Sequence, residues 1–127
     1  MGWKKRGYLM SYDNICQLAS GYLKCNIDET GNFLNMYPVD IYPEDYVRLY
    51  HFNRLYLLQE IHRDNIRDIF ETEDEALANI ALVLKAIRFY EHSSDECIEK
   101  WYMDNADGVK NILTLEDAIG LYQTLGQ

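Results

Sequence analysis

From Ser11 onward, the apolar positions Ile15, Leu18, Ala19, Tyr22 and Leu23 fall at i, i+3, i+4, i+7 and i+8. This is the stripe of an amphipathic helix, with Ser11 or Asp13 as its cap. The period then changes. Leu23, Cys25 and Ile27 alternate with polar neighbours, Asp28 to Gly31 reads as a turn, and Phe33, Asn35 and Tyr37 predict a returning strand. That hairpin requires the first helix to end early. The stretch Tyr46 to Ile61, dense in Tyr, Leu and Phe, fits either a buried helix or two strands turning at Asn53 and Arg54. Strands are preferred, because Tyr56-Leu57-Leu58 and Ile66 to Phe70 flank a polar break, His62-Arg63-Asp64-Asn65, with the composition of a hairpin turn.

Thr72-Glu73-Asp74-Glu75 precedes Ala76, Leu77, Ile80, Leu84 and Ile87 and predicts a helix from about 73 to 90. Thr72 would cap it, Glu75 would reach back as a capping box, and Glu73 and Asp74 would complement the positive end of the helix dipole. Ser94-Asp95-Glu96 predicts the cap of a short helix carrying Cys97, Ile98 and Trp101 and ended by Asn105 to Gly108. Val109 to Leu113 reads as a short apolar strand leading into a Thr114-capped helix with Ala118, Ile119, Tyr122 and Leu125 on one face. A strand feeding a Thr-capped, acid-fronted helix thus occurs twice, at Ile66 to Ala76 and at Val109 to Ala118. Shared capping physics explains this better than an internal repeat. The only prolines, Pro38 and Pro43, bracket a short segment, and no Pro/Gly/Ser-rich linker divides the chain. The expectation is one domain over residues 1–127, of α+β class, with a small antiparallel sheet packed against three to four helices.

Composition changes the picture mainly through charge. Twenty-one acidic against twelve basic residues give a formal charge of −9, a field that repels phosphate backbones and attracts basic surfaces. A basic protein is therefore a more natural partner than nucleic acid. The cluster Lys4, Lys5, Arg6 is read as a solvated end. Cys16, Cys25 and Cys97 are odd in number and lack a Cys-x-x-Cys pair, which argues for a reducing cytoplasm and against a disulfide framework or zinc site. The apolar runs are too short to span a membrane, and residues 1–10 carry neither a secretory signal nor a myristoylation motif.

Candidate chemistry is sparse. The sequence has no phosphate loop, dinucleotide fingerprint, Gly-x-Ser-x-Gly elbow or His-Glu-x-x-His. His51, His62 and His92 stand apart, and His62 beside Asp64 reads as a turn residue and not as a metal ligand or general base. No catalytic residue, cofactor or metal is expected. The acids fall into two zones. Asp68, Glu71, Glu73, Asp74 and Glu75 surround a helix start, where capping accounts for most of them and a basic partner for the rest. Glu91, Asp95, Glu96, Glu99, Asp104 and Asp107 surround Trp101, Tyr102 and Met103, offset only by Lys100. Aromatic anchors ringed by acids suit an interface for a basic partner, and the alternative is that Trp101 is core. The candidate partner-binding residues are Asp95, Glu96, Glu99, Trp101, Tyr102, Asp104, Asp107, Asp68, Glu71 and Asp74. Eleven tyrosines supply stiff contact area suited to both half-buried core positions and binding surfaces.

The segment Ile66-Arg67-Asp68-Ile69-Phe70-Glu71-Thr72-Glu73-Asp74-Glu75-Ala76-Leu77 resembles the strand-to-helix Phe-x-Thr-Glu-x-Glu-Ala step of small bacterial immunity proteins from polymorphic toxin systems, including contact-dependent growth inhibition. The resemblance implies a cytoplasmic α+β protein that binds a cognate toxin domain, often a nuclease, and occludes its active site. The competing readings are another acidic interaction module, either an adaptor or a nucleic-acid mimic, and a small carboxylate-using hydrolase.

Overall fold

A computed structural model describes residues 12–19, 23, 25–38, 44–91 and 95–126. Helix α1 (Tyr12–Ala19) is followed by five strands, β1 (Cys25–Thr30), β2 (Phe33–Pro38), β3 (Asp45–Phe52), β4 (Leu55–His62) and β5 (Asn65–Thr72). Then come α2 (Glu75–Ala86), which continues as a π-helical turn over Ile87–Glu91, α3 (Asp95–Asp104), the single turn α4 (Ala106–Val109) and α5 (Leu115–Leu125). The strands form one antiparallel meander in the order β1-β2-β3-β4-β5. The α+β expectation holds, with one more helical turn than anticipated.

The hairpins follow from turn chemistry. Two residues join β1 to β2, β3 to β4 and β4 to β5, with Gly31, Asn53 and Arg63 at φ of 58°, 58° and 57°. Positive φ in a two-residue loop gives the chain the twist its flanking strands need. The first turn therefore lies at Gly31-Asn32, one step beyond the Asp28 to Gly31 turn read from the sequence. The ambiguous Tyr46 to Ile61 stretch forms strands β3 and β4, which turn at Asn53-Arg54, and α1 does end before β1.

Strand periodicity places Leu34 and Met36, Val47 and Leu49, and Tyr56 and Leu58 on one face, all buried. Helix α2 lies on that face, against β3, β4 and β5, and its successive residues Ala78 to Ala86 are all buried. A helical segment buried on every side needs cover on both sides. The second cover is a helical layer, in which α5 packs on α2 and α3 packs on α5, while α1 also touches α2. Trp101 and Tyr122 are the largest fully buried side chains.

Three expectations are corrected. Thr72 does not cap α2. It ends β5 opposite Tyr56, and its hydroxyl accepts the Asp74 N–H (3.1 Å), while Asp74 is the N-cap and accepts the Leu77 N–H at 3.2 Å. Glu75 makes no capping box, because its carboxylate accepts the Tyr56 hydroxyl at 2.9 Å. Val109 to Leu113 is not a strand. Val109 closes α4, and its carbonyl accepts the N–H groups of Ile112 (2.9 Å) and Leu113 (3.1 Å). The apparent second strand-to-helix unit therefore dissolves, since residues 109–113 lie in the helical layer with no strand to pair with. The Thr114 cap does form, accepting the Asp117 N–H at 3.1 Å. The caps expected at Ser11 and Ser94, and the Lys4-Lys5-Arg6 cluster, lie outside the described residues, as does the side chain of Asp13.

Candidate functional site

The helices among the described residues lie on one face of the sheet, and the other face carries the site. Antiparallel register aligns its side chains in rows. One row crosses all five strands through Asp28, Asn35, Arg48, Gln59 and Asp68. Asn35 donates to Asp28 (3.2 Å), Arg48 Nε donates to Gln59 Oε1 (2.8 Å), and Gln59 Nε2 donates to Asp68 Oδ1 (2.9 Å). The outermost members on both edge strands are aspartates.

The adjoining row is Thr30, Phe33, Tyr50, Leu57 and Glu71. A register shift at Leu58/Gln59 leaves Ile69 unpaired in β5. Such a bulge reverses the side-chain alternation beyond it, so Asp68 and Glu71 share the open face despite their odd spacing.

The aromatic rings form a continuous stack. The guanidinium of Arg48 lies 4.1 Å over the Phe33 ring, Phe33 stacks on Tyr50 at 4.8 Å, and Tyr50 stacks on Phe52 at 6.1 Å. Phe52 is 54% exposed and Ile66, at the opposite end of the face, 56%. Beside Phe52, at the β3–β4 hairpin tip, a shallow groove is lined by Asn53, Arg54, Leu55, Glu71, Thr72 and Glu73.

The residues singled out from sequence separate into two places. Asp68 and Glu71 belong to the open sheet face, and Asp74, exposed, caps α2 just beyond its end. Asp95, Glu96, Glu99, Asp104 and Asp107 are exposed in the helical layer. There Asp95 accepts from Gln123 (2.8 Å), Asp104 pairs with Lys100 (3.1 Å) and Asp107 approaches Lys110 (3.9 Å). Trp101 and Tyr102 are corrected from partner contacts to core. Trp101 is fully buried and donates its indole N–H to the Leu18 carbonyl at 2.9 Å, satisfying one of the last carbonyls of α1. Tyr102 is buried, and its hydroxyl donates to the Leu113 carbonyl at 2.8 Å. Met103 beside them is exposed.

A second polar constellation was not anticipated. On the helix-facing side Glu60 Oε2 pairs with Lys85 Nζ at 2.6 Å, and Glu60 Oε1 lies 2.7 Å from His62 Nε2 and 3.6 Å from Arg67. His62 Nδ1 is 3.7 Å from Asp45, and Lys85 also donates to the Leu125 carbonyl at 2.8 Å. Burial pushes the Glu60 carboxyl up, but hydrogen bonds from Lys85 and His62 outweigh it and hold the group below its ordinary value. A carboxyl poised to donate a proton near neutrality shifts the opposite way. Among the described residues no three His, Cys, Asp or Glu side chains are placed to hold a metal ion, and no helix is long and apolar enough to cross a membrane.

Only a weak cue pointed to the open face. Tyr46, Tyr50, Phe52, Leu55 and Leu57 alternate with the core residues Val47, Leu49, Tyr56 and Leu58, so both faces of β3 and β4 read as apolar. No protein-family model matches the chain, and neither a curated protein nor a solved structure matches it significantly.

Proposed function

We propose that the chain is an immunity protein of the cytoplasm that binds a cognate, basic toxin domain, a nuclease in the first instance, and neutralises it by covering the active site. One observation carries this reading: a stack of Phe33, Tyr50 and the exposed Phe52 on the sheet face away from the helices, edged by Asp28, Asp68 and Glu71, on a chain of formal charge −9. Aromatic residues dominate interface energetics because they bury large, stiff area at small entropic cost. Acids at the rim raise the rate of encounter with a basic surface, and the well-packed centre sets the lifetime of the complex. The strand-to-helix step at Phe70 to Ala76 supports the same reading through its resemblance to immunity proteins.

The test is co-expression with the toxin domain encoded beside this chain. The expected result is a stoichiometric complex that suppresses the toxin and associates more slowly as salt rises. Failure to form a complex with, or to protect against, any toxin domain encoded beside it would overturn the proposal.

A further inference from the structure

Strand β5 forms one edge of the sheet. Backbone bonds in an antiparallel sheet alternate from residue to residue between the two neighbouring strands. The Arg63 N–H donates to the Glu44 carbonyl at 2.7 Å, so Ile61 and Arg63 bond toward β3, and Glu60 and His62 toward β5. Asn65 and Arg67, opposite His62 and Glu60, therefore use their main-chain groups on β4. Those of Ile66 and Asp68 point outward, where no backbone partner meets them among the described residues. Asn65, Ile66, Arg67 and Asp68 are all exposed. The other edge differs. There the bond from the His51 N–H to the Asn32 carbonyl (2.8 Å) sets the alternation and turns Cys25, Ile27 and Glu29 of β1 outward. Each of these three is engaged by another group.

We propose that the Asn65 to Asp68 edge receives an extended segment of a basic protein partner as an added strand, with a lysine or arginine opposite Asp68 and an apolar residue opposite Ile66. This mode of docking rests on the reading of the chain as a binder of a basic protein. Two side-chain rows on the face away from the helices stop at this edge. Tyr46, Ile61 and Ile66 form an apolar row whose last member is 56% exposed. The row through Arg48 and Gln59 ends on the Asp68 carboxylate, which accepts from the neutral Gln59 amide. A cation opposite Asp68 continues that row with the favourable sign. In strand addition main-chain bonds supply affinity and alternate side chains supply specificity. A second copy of the chain does not fit, because every twofold antiparallel register of this edge opposes like charges. Ile66 on Ile66 brings Asp68 to Asp64, Ile66 on Asp68 sets Arg67 against Arg67, and a further slip sets Asp68 against Asp68. Directly opposed like charges are destabilising, and edge charges commonly guard against self-association.

The probe is a short peptide of alternating lysine and valine, and its control replaces each lysine with glutamate. Each is titrated into the intact protein, and amide hydrogen exchange is followed residue by residue by NMR. The expected result is that the lysine peptide slows exchange at the Ile66 and Asp68 amides about ten-fold, while the glutamate peptide leaves both unchanged. Ile66→Pro should abolish the protection, because it removes an outward N–H that β4 does not use. Asp68→Lys, an exposed change that leaves the backbone donors in place, should transfer the preference to the glutamate peptide. Lysine-peptide binding without protection at Ile66 and Asp68, or no binding by either peptide, would overturn the proposal. So would protection of these amides in the free protein that grows with its concentration, since that marks a second copy on the edge. A cognate toxin complex unaffected by Ile66→Pro and Asp68→Lys overturns strand addition and leaves the immunity reading intact. Edge protection by the lysine peptide with no toxin partner found retains the edge site and removes the immunity reading.

Discussion

Lys85 Nζ lies 2.6 Å from Glu60 Oε2, and the two residues, 5% and 7% exposed, join helix α2, buried from Ala78 to Ala86, to strand β4. The same ammonium donates to the Leu125 carbonyl at the end of α5, so one lysine ties three elements together. Removing Lys85 takes the nearest cation from a buried carboxylate that keeps only His62 and Arg67, at a cost of about 3 kcal/mol, the lower end for breaking a buried pair. Lys85→Met should lower stability by that order in urea unfolding. Glu60→Leu combined with Lys85→Met should recover much of it, because neither charge is then stranded.

The same carboxylate confers acid sensitivity. Its folded-state pKa lies below the ordinary 4.5, because the Lys85 and His62 hydrogen bonds outweigh burial. Its contribution to stability is then fully present above the unfolded value and is lost as pH falls through the folded one. Urea midpoints measured from neutral pH to about pH 3 should fall steeply below the ordinary carboxylate range. Glu60→Gln, less stable at neutral pH, should show a shallower fall over that window.

Trp101 is predicted to matter for stability and not for recognition. Trp101→Phe removes the indole bond to Leu18 and strands a carbonyl, at a cost of about 1–3 kcal/mol. Trp101→Ala should cost about 3–5 kcal/mol through loss of packing. Thermal unfolding measures both, and Trp101→Phe should bind its partner with unchanged affinity where it remains folded.

The caps give a finer test. Asp74→Ala and Thr114→Ala each remove a side-chain bond to an orphan N–H group and should cost about 1 kcal/mol in chemical denaturation. If Thr72 were the α2 cap instead, Thr72→Ala would show that loss and Asp74→Ala would not.

Short-range physics determined much of this protein from sequence alone. Two-residue turns at Asn53-Arg54 and Arg63-Asp64, the helices starting near Asp74 and at Thr114, and the early end of α1 all depend on neighbours a few residues apart. The acidic character is read from composition alone. Tertiary structure decided the rest, because each remaining feature depends on a contact distant in sequence. Trp101 meets Leu18 across eighty-three positions, which turned an expected anchor into core. Lys85 meets Leu125 across forty, and no local pattern marks a lysine for burial. The bulge at Ile69 brings Asp68 and Glu71 to one face, and the location of the helical layer sets that face, with the exposed Phe52 at its end, away from α2. Strands apolar on both sides specify that they pair, while the side that receives the helices is set by where α2 packs.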